Sequence, residues 1–245
     1  MITAWAFGGG TQTIALCVLI DMGLLPRPEI IGMADTTFEV QSTWDYLNNV
    51  IRPAGFDVQV IPHSFATVDL YGKNGDLLLP AFTRQNGGVG KMPTFCSNEW
   101  KARVFQRWLR EQGVTDCDVW LGMSTDEMER MKDSGLKWYR HVYPLVEIIP
   151  MSRHQCYSLV VNHGWPPPPK SRRKICPNQS PLSWRDMRDN SPKDYEFAVG
   201  FDETLRETDP NVYLHELGEP LDQAVEKSAR QSTMFDGCDS GYCHN

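Results

Sequence analysis

Phe7, Gly8, Gly9, Gly10, Thr11, Gln12 and Thr13 lie between two apolar runs, an order that reads as strand, glycine loop and helix start. This arrangement suits phosphate. Glycine tolerates positive φ and, having no Cβ, lets a ligand come close to the backbone. The free N–H groups of a helix N-terminus then attract an anion. Replacing Gly9 with Val is therefore expected to abolish ATP binding by blocking phosphate while leaving the fold largely intact. A Walker loop would need a Gly-Lys pair before Ser or Thr, and a dinucleotide loop a third spaced glycine, so neither common pattern is met. The alternative is a tight glycine turn with no ligand.

Thiols and cations are the other candidates. Of seven cysteines, Cys17 falls on the apolar face of the first helix and Cys117 just before an apolar strand, so both read as structural. Cys96, Cys156, Cys176, Cys238 and Cys243 lie beside polar or glycine-rich sequence and remain candidates for metal or redox use. Lys170, Arg172, Arg173 and Lys174 form a basic patch next to a proline run, either a phosphate or nucleic-acid contact or a solvated loop.

Elements that could position these groups alternate along the first half. Strands are expected at 2–7, 30–34, 57–61 and 119–122, and helices at 13–22, 39–50 and 98–111. That order predicts an α/β fold with a parallel sheet covered by helices on both faces. Residues 72–94 read as a long loop that could close over a site. Composition shifts near His163, and prolines at 166–169 break any regular element. A boundary near 165 divides the chain into a nucleotide-binding domain, 1–165, and a cysteine-containing C-terminal appendage, 166–245, of short and weakly periodic sequence.

Composition sets outer limits. A chain of 245 residues with 41% hydrophobic content can bury a sizeable core. A net charge of −7 argues against broad nonspecific nucleic-acid binding. No apolar run is long enough to span a membrane and no basic leader precedes one, so a cytoplasmic protein is expected.

Eight stretches in order carry a resemblance: FGGGTQT, ADTTFE, CSNEWK, GMSTDEMER, YPLVEIIPMSRHQC, HGWPPPPKS, CP at 176–177 and the terminal CDSGYC. Together they resemble the PP-loop ATP pyrophosphatase (adenine nucleotide alpha-hydrolase) superfamily. The nearest look is to phosphoadenosine-phosphosulfate-reductase-like proteins of phage and mobile elements, whose host cytoplasm would be the setting. The resemblance implies a Rossmann-like sheet of the PP-loop/HUP type. It also implies that ATP or an adenylyl-sulfate nucleotide binds at Phe7–Thr13 with Mg²⁺, and it allows a homo-oligomer.

Several departures accompany it. Ala6 replaces the motif's first serine, so of the motif's two ends only Thr13 keeps a hydroxyl, and Thr37 replaces a turn glycine. In this family Asp35 and Thr36 would meet the adenosine or Mg²⁺, their alternative being a helix cap. Gly122, Ser124 and Asp126 would line the mouth of the site, with Asp126 reaching Mg²⁺, or Ser124 and Glu127 would form a capping box. Lys101 would supply a mobile charge in place of the Walker lysine, or sit on a solvated helix face. Arg153 would be a second anion ligand unless it pairs with a carboxylate.

The resemblance also makes Cys156, Cys176, Cys238 and Cys243 a set of four thiolates for a 4Fe–4S cluster, although Arg173 replaces the first cysteine of the family's CxxCP. Zinc, with His244, or a redox-active Cys243 are the alternatives. His163 and His215 read as structural. Two functions follow. One is an enzyme that adenylates an acceptor with release of pyrophosphate, for sulfur transfer or reduction. The other is a nucleotide-binding interaction protein in phage–host conflict or DNA modification, without turnover.

Overall fold

The computed structural model describes residues 1–62, 74–75, 77–79, 81–85, 87–93, 96–169 and 171–230. The chain forms two compact units, residues 1–67 with 100–171 and residues 68–99 with 172–245.

The first unit is built on a five-stranded parallel sheet. Its strands are β1 (Ile2–Ala6), β2 (Ile30–Ala34), β3 (Gln59–Ile61), β6 (Cys117–Leu121) and β7 (Tyr139–Val142), in the order β3-β2-β1-β6-β7. Pairing runs Ala4 to Ile30, Gly32 to Gln59, Ile2 to Cys117 and Cys117 to Tyr139. Strand β7, polar in its YRHV sequence, was not foreseen.

Between the strands lie α1 (Thr11–Asp21), α2 (Gln41–Tyr46) running on into a π-helical stretch Leu47–Ile51, and α3 (Arg103–Glu111); the short α4 (Pro144–Glu147) and α5 (Arg153–Asn162) follow β7. Helix α1 is buried at every residue from Thr11 to Ile20, and beyond its polar first turn the run Ile14–Ile20 is apolar on all sides, as a helix buried all round must be. Ile31 and Met33 of β2 join α1 and the Cys156 and Val160 side chains of α5 in one core cluster. Gly32, between them, faces the other way. A Cβ there would stand 2.8 Å from the rings of Phe105 and Trp108 on α3. Because strand neighbours point to opposite faces, α1 and α3 cover opposite sides of the sheet. The α/β architecture read from the sequence is thus the observed one.

The second unit departs from the sequence reading. Instead of a long loop, residues 72–94 include a hairpin of β4 (Phe82–Gln85) and β5 (Gly88–Lys91), and β4 also pairs antiparallel with β8 (Val212–Tyr213). Instead of short, weakly periodic sequence, the C-terminal part holds α6 (Pro181–Asn190), α7 (Pro192–Thr208) and α8 (Leu221–Arg230). Proline opens both α6 and α7, where its missing N–H costs nothing.

Buried polar groups organise this unit. Asp202 of α7 is fully buried and accepts hydrogen bonds from Leu214 N at 2.8 Å, Leu221 N at 3.1 Å and Arg206 Nε at 3.2 Å. It thereby ties α7 to the start of α8. Burial raises its pKa, against the lowering effect of those donors. His215 lies in the same connection, not at a helix start, and is 1% exposed.

Candidate functional site

The glycine loop emerges from the C-terminal end of β1, next to the point where the strand order reverses. To one side of β1 the chain steps to β2 and β3, and to the other it returns through β6 and β7. Open α/β sheets bind ligands in the crevice outside the carboxyl ends of the strands at this switch point. Loops after β1 and β6 flank it.

Local packing explains the glycines. Gly9 has φ +69°, and a Cβ there would come within 2.6 Å of the Thr43 methyl. The fold itself demands this glycine, so the expectation that its Cβ would act only by blocking phosphate is corrected. Gly8 is different: its Cβ would meet Thr13 Oγ1 at an ordinary 3.4 Å. Gly122, after β6, lies so close to Thr13 that a Cβ would stand 2.9 Å from its Oγ1. Thr13 thus joins the two loops. Phe7 is buried against Trp5, ring to ring at 5.2 Å, and holds the loop to the core.

Gly10 is the N-cap of α1, in extended conformation, and no side chain caps the helix. The first N–H groups of a helix have no acceptor within it. Those of Thr11, Gln12 and Thr13 therefore supply the positive end of the α1 dipole at the switch point.

The β6 loop is fastened to the glycine loop by side chains. Gln12 Nε2 donates to Glu127 Oε2 at 2.9 Å and to Ser124 Oγ at 3.4 Å. Arg130 in turn pairs with Glu127. Ser124 is the N-cap of the 3₁₀ helix Thr125–Arg130 but makes no side-chain capping bond, so the expected capping box does not form there. A capping box does form at α5, between Ser152 and Gln155. Asp126, exposed, accepts from Arg153 N and so adds negative charge at the same helix start.

After β2, Asp35 Oδ1 accepts from Thr37 N at 2.7 Å. The N-cap of α2 is Val40, which removes the capping alternative for Asp35 and Thr36. Thr37 has φ +62°, so the turn keeps a glycine-like conformation although the glycine is gone. A β-branched residue there is strained, at a cost of about 1–3 kcal/mol. Thr36, fully buried, donates to Glu39 Oε1 at 3.3 Å. Lys101 reaches the same oxygen at 2.7 Å. Phe38 and Trp100, with ring centroids 5.8 Å apart, bring these two segments together.

Three further residues belong to this site: Glu39 and Ser171, which lie within motifs but have no role assigned by them, and Thr43, which lies outside every motif. Ser171 Oγ donates to Gly8 O at 2.7 Å. For Glu39 and Ser171 the signal lay in the ADTTFE and HGWPPPPKS stretches themselves.

With that geometry in place, comparison with known proteins adds a likeness of structure. No protein-family model and no curated protein matches the sequence. The crystal structure of phosphoadenylyl-sulfate (PAPS) reductase from Candida auris in a phosphate complex is similar, with a TM-score of 0.46 and 12% identity over 69% of this chain and 76% of that chain.

The thiols divide. Cys156 belongs to the core of the first unit, and burial, with Asp126 nearby, pushes its thiol up to about 12. Cys17, Cys96 and Cys117 are also buried, and Cys176 is half-buried in the second unit. Cys238, Cys243 and His244 lie outside the described residues. Among the described residues no group of three or more His, Cys, Asp or Glu side chains could hold a metal ion.

Within the second unit the basic patch is largely engaged. Arg172 bonds Ser183 and, at 3.0 Å, Asp186. Lys174 lies 3.7 Å from Asp194 and over the Phe197 ring, and Arg173 is buried. Lys170 lies outside the described residues. Among the described residues no helix is long and apolar enough to cross a membrane.

Proposed function

We propose that the protein binds ATP or an adenylyl-sulfate nucleotide on the Phe7–Thr13 loop and activates an acceptor by adenylation. The observation that carries this reading is the uncapped N-terminus of α1 at the strand-order reversal, with a glycine loop leading into it. The eight motifs in order supply the choice of nucleotide. Backbone donors of Gly8, Gly10, Thr11, Gln12 and Thr13 would hold phosphate oxygens. Lys101 and Arg153 would add positive charge.

Mg²⁺ suits the donor set, because Asp35 and Asp126 offer the carboxylate oxygens a hard cation prefers. Bound there, it would neutralise phosphate charge. An acceptor oxygen would attack the α-phosphorus, losing its proton as the acceptor–phosphorus bond forms and the bond to pyrophosphate breaks. The resemblance makes pyrophosphate the leaving group, and the missing Walker lysine agrees with it, since that lysine serves transfer of the γ-phosphate. Displacement of AMP by a sulfur nucleophile would follow in the family's manner. In the variant reading a cysteine thiolate would instead attack the sulfur of an adenylyl-sulfate, forming an S–S bond as the bond from sulfur to the nucleotide's phosphate oxygen breaks. A second thiol would then release sulfite by forming a disulfide. Among the described residues there is no site for an iron–sulfur cluster or zinc.

A second reading, nucleotide binding without turnover, draws on the engagement of the candidate catalytic groups. Lys101 pairs with Glu39, and Asp126 is bonded at the start of α5. Nucleic acid as the acceptor has less support, given the contacts of Arg172 and Lys174.

Labelled ATP incubated with Mg²⁺ and cell extract separates these readings. Adenylation yields AMP and pyrophosphate, and Lys101→Ala slows their release by roughly a hundredfold. ADP as the main product would overturn the proposed chemistry, and binding with no product would favour the second reading.

A further inference from the structure

Glu39 is the least expected group beside the glycine loop. Its side chain is fully buried, whereas that of Lys101, its partner at 2.7 Å, is 36% exposed. The carboxylate is thus kept from water, while part of the Lys101 side chain reaches it. Among the described residues Glu39 Oε2 has no hydrogen-bond partner, and neither does buried Thr43 Oγ1 four residues on. Thr43 is the residue whose methyl lies against Gly9, so the two unsatisfied oxygens belong to the segment that walls the loop. Buried polar atoms without partners are few in folded proteins, and each calls for a donor.

We propose that Glu39 is a built-in counter-ion of the anion site: it anchors Lys101 beside the loop and offsets part of its charge, which sets the affinity for polyphosphate. This rests on the nucleotide-binding reading and deepens it. An ammonium has three N–H donors, so Lys101 keeps donors for phosphate oxygens while bonded to Glu39. A lysine stem is otherwise flexible and loses much rotamer freedom when fixed. Pairing with a buried carboxylate fixes it in advance. The same carboxylate, kept from water, repels any phosphate that Lys101 attracts, and that repulsion is weakly screened.

The pair also has a structural side that runs in the opposite direction. Loss of Lys101 leaves a buried carboxylate uncompensated, which destabilises more than loss of the whole pair. The two effects can therefore be separated by a cycle of Glu39→Gln, Lys101→Met and the double variant. Glutamine keeps the shape of Glu39 and an oxygen for Lys101, but removes the charge.

Calorimetric titration with inorganic triphosphate and with Mg²⁺–ATP at low and moderate salt, together with thermal melting, tests the assignment. Glu39→Gln binds both ligands more tightly, by roughly tenfold at low salt, with a steeper loss as salt rises. Lys101→Met binds weakly and melts lower. The double variant regains the melting temperature without regaining affinity. Unchanged or weaker binding by a folded Glu39→Gln variant would overturn the counter-ion role and leave the nucleotide reading standing. A wild-type protein that binds neither ligand would overturn both.

Discussion

Gly9 and Gly8 are neighbours with different reasons to be glycine. A side chain at Gly9 must adopt φ +69° and meet the Thr43 methyl at 2.6 Å. The left-handed conformation alone costs about 1–2 kcal/mol, before the clash is counted. Gly9→Ala therefore lowers the unfolding free energy by at least that amount, read as a lower midpoint in denaturant. At Gly8 an alanine meets only ordinary contact with Thr13 Oγ1. Gly8→Ala keeps the midpoint close to wild type while its Cβ crowds the approach to the backbone, so nucleotide affinity falls by about tenfold or more. Equal loss of stability in both variants would show that the loop is a packing feature alone. From sequence the two positions are indistinguishable, because the Thr43 contact depends on where α2 comes to lie.

Among the elements, those with strong apolar runs were legible. β1, β2, β3, β6 and α1 fall where alternation places them, because buried parallel strands and a wholly buried helix leave little room for polar residues. β7 and the β4–β5 hairpin escaped notice since polar and glycine residues dominate them. α7 was missed for a related reason: Asp194 and Asp202 occupy buried positions on it, so its inward face does not read as apolar. A buried histidine in the same unit makes it sensitive to acid. Burial lowers the pKa of His215 from 6.5 to about 4, with Glu219 opposing. Between those values the unfolded chain binds the proton and the folded one does not, so stability falls as pH drops from 6.5 towards 4. The loss attributable to this side chain reaches about 3 kcal/mol. Melting temperatures across that range should show a slope that His215→Asn flattens, since the amide oxygen can replace Nδ1 as acceptor for Leu217 N. An identical slope in the variant would place the acid sensitivity elsewhere.

For the whole molecule, the location of the candidate site was more legible than its wiring. The loop, the Asp35 turn and the Gly122 loop are local motifs, and a parallel sheet brings the ends of its strands to one edge. The Glu39–Lys101 pair, the Gln12–Glu127 bond and the Ser171 contact join residues far apart in the chain, which periodicity does not reveal. All of them surround one loop, and the central claim is that this loop binds nucleotide phosphate. Amide NMR spectra of labelled protein, recorded as Mg²⁺–ATP is added, test that claim most directly. The account predicts saturable shifts at Gly8, Gly9, Gly10, Thr11, Gln12 and Thr13, reproduced at these amides by inorganic triphosphate. Shifts confined to other residues, or none at millimolar ligand, would contradict it.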